Sequence, residues 1–143
     1  MDVSDLRRRI RREIELAKED AGERRRAADE GKAAYERVLN TVVVPLLKQV
    51  VTILRAEGWG YQTFTPAGSA RLVSDRSPED FIEFDLDTSD GAHLAGRVSV
   101  TRGRRGVLVD EQVIAPEKAL AEATEDDILA FLLPAIRRLG SRA

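Results

Sequence analysis

The chain has 143 residues, the size of one domain, with 43% apolar and 34% charged residues and a formal net charge of −2. That balance gives no bulk field for nucleic acid or an anionic membrane, and the lack of cysteine excludes disulfides, thiolate metal sites and thiol catalysis. The first residues have no apolar signal-peptide core and the longest apolar run, Val42 to Leu47, is short of a bilayer span, so the sequence reads as cytoplasmic with no membrane contact.

Residues 1 to 57 read as one helical stretch, and 21 of the first 37 are charged. So polar a helix does not persist alone in water and calls for a partner. Two registers run along it: Val3, Ile10, Ala17, Arg24, Gly31 and Val38; and Arg7, Ile14, Ala21, Ala28, Tyr35 and Val42. Their alternating spacing of four and three is a coiled-coil seam. Arg7 and Arg24 interrupt it and Gly31 thins it, which predicts a weak coiled coil. The expected interaction surface is Ile10, Ile14, Ala17, Ala21, Ala28, Tyr35, Val38 and Val42, with a homodimer as the commonest closure. Gly22 and Gly31 each cost about 1 kcal/mol relative to alanine, so each is a candidate break. A break there would allow the alternative, a hairpin within one chain. Pairs such as Arg9–Glu13, Arg11–Glu15 and Asp20–Arg24 are expected to add support along the helix.

From Val38 the pattern turns apolar. Val38, Leu39, Val42, Val43, Leu46, Leu47, Val50, Val51, Ile53 and Leu54 mark a core-facing helix over 38–57. Pro45 is expected to kink it or to mark a helix start, and Gly58 to stop it. The strands predicted next are Trp59 to Thr65, Ser69 to Ser74, Phe81 to Asp87, Leu94 to Thr101 and Val107 to Ala115. In the third, Ile82, Phe84 and Leu86 alternate with Glu83, Asp85 and Asp87, so one face is apolar and the other acidic. Asp90-Gly91 reads as a hairpin turn. Arg97 is placed to lie across the strands from one of the acids. The last element is a helix over 124–139, capped by Thr124 with Asp127 three residues on, and apolar at Ile128, Leu132, Ala135, Ile136 and Leu139. Leu129 and Leu133 widen that face, and Pro134 is expected to kink the helix. The fold class is therefore α+β: a charged arm over 1–37, then one domain over 38–143 with an antiparallel meander of four or five strands. Helices 38–57 and 124–139 cover its apolar face.

No stretch carries a catalytic signature. His93, the sole histidine, sits beside the Asp90-Gly91 turn without a nucleophile or orienting acid near it in sequence, and reads as a solvated turn residue. Asp85, Asp87, Asp90 and Gly91 loosely match a calcium loop, but the third acid is one residue late and no glutamate stands at position twelve. Gly58-Trp59-Gly60 and Gly103 to Gly106 match no nucleotide fingerprint. Neither a cofactor nor a metal is expected. Two arginine clusters are candidate anion contacts: Arg7, Arg8 and Arg11 with Arg9 and Arg12 in the arm, and Arg102, Arg104 and Arg105 on a loop.

In size, mild acidity and helix–sheet–helix order the chain resembles the small dimeric chaperones of bacterial secretion systems. That resemblance implies a homodimer that binds another, unidentified protein. The expected function is a non-enzymatic chaperone- or adaptor-like bacterial domain that self-associates through its N-terminal helix. One alternative is a nucleic-acid accessory protein using the arginine clusters; another is a small-ligand binder or enzyme with a site on the sheet.

Overall fold

The computed structural model describes residues 1–140, apart from the side chain of Arg105. The chain begins with a continuous helix from Val3 to Ala56, 54 residues long. It comprises α1 (Val3–Val38), a π-helical turn (Leu39–Val43) and α2 (Val44–Ala56). Asp2 caps the start, its carboxylate accepting from the Ser4 N–H at 3.2 Å. Neither Gly22 nor Gly31, the two candidate breaks, interrupts the helix, so no hairpin forms within the arm. Arg9 turns back to Asp5, at 3.2 Å, in place of the expected pair with Glu13.

Pro45 explains the π turn. Proline lacks the N–H for an α-helical bond, and its ring crowds the carbonyl four residues back. Here the helix widens just before it: the Val44 N–H bonds to the Leu39 carbonyl, five residues back. Pro45 then falls in the first turn of α2, where its missing N–H costs little. The expected kink is thus absorbed as a π turn. Gly58 (φ +85°) ends α2, with the Trp59 N–H bonded to Leu54 and the Gly58 N–H to Arg55.

Five antiparallel strands follow, in spatial order β1 (Tyr61–Phe64), β2 (Ala70–Ser74), β3 (Phe81–Asp87), β4 (His93–Thr101) and β5 (Val107–Val113). The register aligns Leu72, Ile82 and Val98 in one row and Ala70, Phe84 and Gly96 in the next, on the same face. Helix α3 (Glu125–Gly140) packs on that face too. The Phe131 ring lies edge-on to Phe84, centroids 5.7 Å apart. It fills the space left by Gly96, where a β-carbon would stand 2.6 Å from it. Leu46 and Leu47 of α2 and Ile128, Leu132 and Leu139 of α3 close the same core. Leu133, by contrast, is exposed, and Pro134 sits within a helix that runs on to Gly140. At its start the Thr124 hydroxyl and Asp127 carboxylate cap each other's backbone N–H, at 3.3 and 2.9 Å.

Two anchors fix how the long helix lies. The Tyr35 hydroxyl donates to the Gly68 carbonyl, in the β1–β2 turn, at 2.5 Å. Arg55 pairs with Asp75, just past the other end of β2, at 3.1 Å. Residues 35 to 55 therefore cross the sheet from end to end, and the residues before Gly31 run on past the β3–β4 end. This corrects the expected seam. Tyr35 and Val38 are buried in the chain's own core and so closed to a second copy, and Val42 is half-buried against it.

Candidate functional site

The projecting part of α1 carries the most conspicuous exposed apolar surface. Val3 is 70% exposed, Leu6 45%, Ile10 51% and Ile14 49%. At 100° per residue these four, with Ala17 and Ala21, form one stripe. Leu6, which the heptad reading passes over in favour of Arg7, completes it. Followed along the heptad seam, which drifts about 20° per seven residues around a straight helix, the stripe leads to Gly31, Tyr35 and Val38, which dock on the chain's own sheet. Ala28 lies between the two parts and is exposed, as are Ala17, Arg7, Arg8 and Arg11. Arg8 reaches Asp5 at 3.7 Å. Among the described residues Arg7 and Arg11 form no ion pair.

The second arginine cluster lies elsewhere. Arg102 and Arg104 are exposed at the β4–β5 turn, while the Arg105 side chain lies outside the described residues. That turn is at the opposite end of β4 from Ala92, where α1 docks through Gly31. The arm runs away from it, so the two clusters sit at opposite ends of the molecule and share no surface.

The acids of β3 are already engaged. Glu83 is buried on the face opposite the helices, where the Arg71 Nε donates to its carboxylate at 2.7 Å and Arg97, its register partner, donates from the other side. The Arg71 guanidinium lies 4.0 Å over the Phe81 ring. Asp80 accepts from the Thr101 N–H at 2.7 Å and Asp85 from the Leu86 N–H at 2.7 Å. Asp87 accepts from Ser89, whose hydroxyl holds its carboxyl below the usual range. The calcium-loop alignment therefore has no structural counterpart: among the described residues no three His, Asp or Glu side chains gather to hold a metal. His93 pairs in register with Asp87 beside the hairpin and is half-buried.

Two clefts lie among the described residues. One, about 460 Å³, is lined by Trp59, Tyr61, Asp75, Asp80 and Leu139. The other, about 580 Å³, lies between Tyr35, Leu39 and the β1–β2 turn. Neither is lined by His93. Asp75 and Asp80 are hydrogen-bonded within the fold. Burial, then the charges of Asp85 and Glu83, raise the Tyr35 hydroxyl far above its ordinary value, so it stays protonated. Neither cleft, as described, joins a nucleophile to a base.

The sequence reading also missed an edge. Every residue of β5 from Val107 to Gln112 is exposed, with Leu108 at 46% and Val109 at 54%. The Ile114 N–H bonds to Leu94 and the Arg102 N–H to Gly106. With the β4–β5 register, these bonds turn the backbone groups of Val107, Val109, Glu111 and Val113 to the open side. The signal was present in the order alone, since the element predicted after this strand is a helix, which cannot pair with it.

Compared with known proteins, the chain matches no family model, no curated protein and no solved structure. One helix, Val3–Ala56, is long and apolar enough in an 18-residue window, at mean hydropathy 1.5, to cross a membrane by length and composition. That apolar part is where the helix packs on the sheet, burying Val38, Leu39, Val43, Leu46 and Leu47.

Proposed function

We propose that this chain is a protein-interaction module of adaptor type, not an enzyme, which self-associates through residues 3–21 of its N-terminal helix. One observation carries this reading: Val3, Leu6, Ile10 and Ile14 stand in line, exposed, on a helix that projects clear of its own domain. A contiguous apolar stripe of this kind is an interaction surface, and a polar helix of this length needs a partner to remain ordered. A second copy presents the same stripe and satisfies both requirements. The engaged carboxylates and the absence of an activated nucleophile in either cleft, as described, favour binding over catalysis. The opposite placement of the arginine clusters gives a nucleic-acid reading no shared surface.

Light scattering tests it. The full chain is expected to show a dimer mass at tens of micromolar, and Ile10→Asp with Ile14→Asp a monomer mass from a chain that still melts in one cooperative step. A monomeric full chain at that concentration would overturn the proposal.

A further inference from the structure

The same helix face serves two purposes along its length, and this restricts how a second copy can approach. Residues 3–21 present the stripe to solvent. Ten residues on, Gly31 presents that face to Ala92, and Tyr35 and Val38 then bury it in the chain's own core. The helix is uninterrupted between the two regions. A partner helix lying parallel and in register on the stripe would, at the level of Gly31, enter the space already filled by Ala92 and the sheet. Two hard bodies cannot share that space.

Resting on the proposal that the chain self-associates through this arm, we infer that the two arms pack antiparallel. The side chains favour one register. Opposing Val3 to Ala21 of the second copy, Arg7 to Ala17 and Ile10 to Ile14 sets large groups against small ones and joins the two isoleucines at the centre. Alanine at these levels lets the backbones approach closely enough for the long side chains to be covered. The second copy's first residues then end near Ala21, about 15 Å short of the Gly31–Ala92 contact at 1.5 Å per residue, so nothing collides.

The flanking charges oppose this arrangement slightly. It brings Arg11 beside the second copy's Arg11 and Glu13 beside its Glu13. A parallel pair would instead match Glu13 with Lys18 and Asp20 with Arg25. Exposed ion pairs contribute little, and they do not offset overlap of a helix with a packed sheet. The antiparallel pair also has a consequence for form. It holds the two sheet domains at opposite ends of a two-helix rod, with their Gly31 residues about 57 Å apart along its axis.

The chain has no cysteine, so single substitutions report pairing cleanly. Arg7→Cys and Ala17→Cys proteins are prepared separately at full length, mixed and oxidised. The expected result is a disulfide-linked dimer from the mixture and none from either protein alone, because identical positions stand about 15 Å apart along an antiparallel pair, beyond disulfide reach. Strong linking of Ala17→Cys with itself, at the same dimer mass, would overturn the antiparallel inference and leave arm-mediated association standing. A monomer mass without cross-links in any sample would overturn both.

Discussion

A β-carbon built on Gly31 would stand 2.5 Å from the Ala92 β-carbon, closer than two carbons can pack. Gly31 is therefore the point at which the long helix rests on the β3–β4 hairpin, and its missing side chain sets the distance. Gly22, on the same helix, meets nothing within 4 Å. The two glycines should respond oppositely to alanine. Gly22→Ala gains helix propensity, about 1 kcal/mol, with no contact to disturb. Gly31→Ala gains the same propensity but must push the hairpin away, at about 1–3 kcal/mol for overpacking. In urea melts Gly22→Ala should raise the midpoint, and Gly31→Ala should lower it or leave it flat. Equal increases for both would mean the helix does not press on Ala92.

Gly96 makes a second close approach, this time inside the sheet. Its neighbours in the row are Phe84 and, from α3, the Phe131 ring. Gly96→Ala drives a methyl into that ring and should destabilise by about 1–3 kcal/mol. Phe131→Ala leaves a cavity instead and should cost about 3–5 kcal/mol. Adding the methyl to the truncated protein should then be far less costly, since the ring it struck is gone. A double mutant whose loss equals the sum of the two would argue against the contact.

These two glycines show what was legible in the sequence. Periodicity locates each element to within a few residues, because the spacing of Ile82, Phe84 and Leu86, or of Ile128, Leu132 and Leu139, follows from one buried face. It also gives the stripe at Ile10 and Ile14. What it does not give is which parts of one continuous apolar face meet the chain's own sheet. Tyr35 and Val38 share the seam spacing with Ile10 and Ala17, yet only the fold determines that the first pair is covered from within. Propensity reads Gly31 as a weak point for the same reason: the contact that makes glycine useful there comes from a hairpin sixty residues away. Likewise a row of acids on β3 looks like an open patch until Arg71 and Arg97 arrive from neighbouring strands.

Those two arginines make Glu83 a sensitive position. Its buried carboxylate accepts from both guanidiniums, and Arg71 also stacks on Phe81. Glu83→Ala removes hydrogen bonds to charged groups and leaves two like charges adjacent, for an expected loss of about 1–3 kcal/mol. Replacing Arg71 alone should cost less, because Arg97 still holds the carboxylate. Chemical denaturation of the two variants beside wild type decides the order; a Glu83→Ala midpoint matching wild type would show that the cluster contributes nothing.

The open β5 edge predicts a solubility effect without a stability effect. Val109 is exposed and its backbone groups face solvent, a template for unwanted strand pairing. Val109→Lys places a charge on that edge and should slow aggregation of concentrated protein, while changing stability by less than about 0.5 kcal/mol. Turbidity on prolonged incubation, read beside a thermal melt, separates the two effects. An unchanged aggregation rate would place the weak point elsewhere.

The last prediction concerns acid. Asp127 accepts from the Lys118 ammonium at 2.9 Å and from the Thr124 N–H at 2.9 Å. The lysine hydrogen bond first, then the backbone one, holds its carboxyl below the ordinary 3.8. A depressed carboxyl stabilises the fold above the unfolded value, and that contribution is lost as pH falls through the folded value. Lys118 is raised above the ordinary 10.5, chiefly by the hydrogen bond to Asp127, so its share is present below that value and fades as pH rises through the folded one. The pair is thus intact from about pH 4 to about pH 10.5. Asp127→Asn removes the charge at every pH. It should therefore melt lower than wild type at pH 7, and the gap should shrink as pH is taken below about 4, where wild type also loses the carboxylate. Thermal melts of both proteins from neutral to acid pH give the comparison. A gap that stays constant across that range would show that Asp127 acts at the start of α3 through its shape alone.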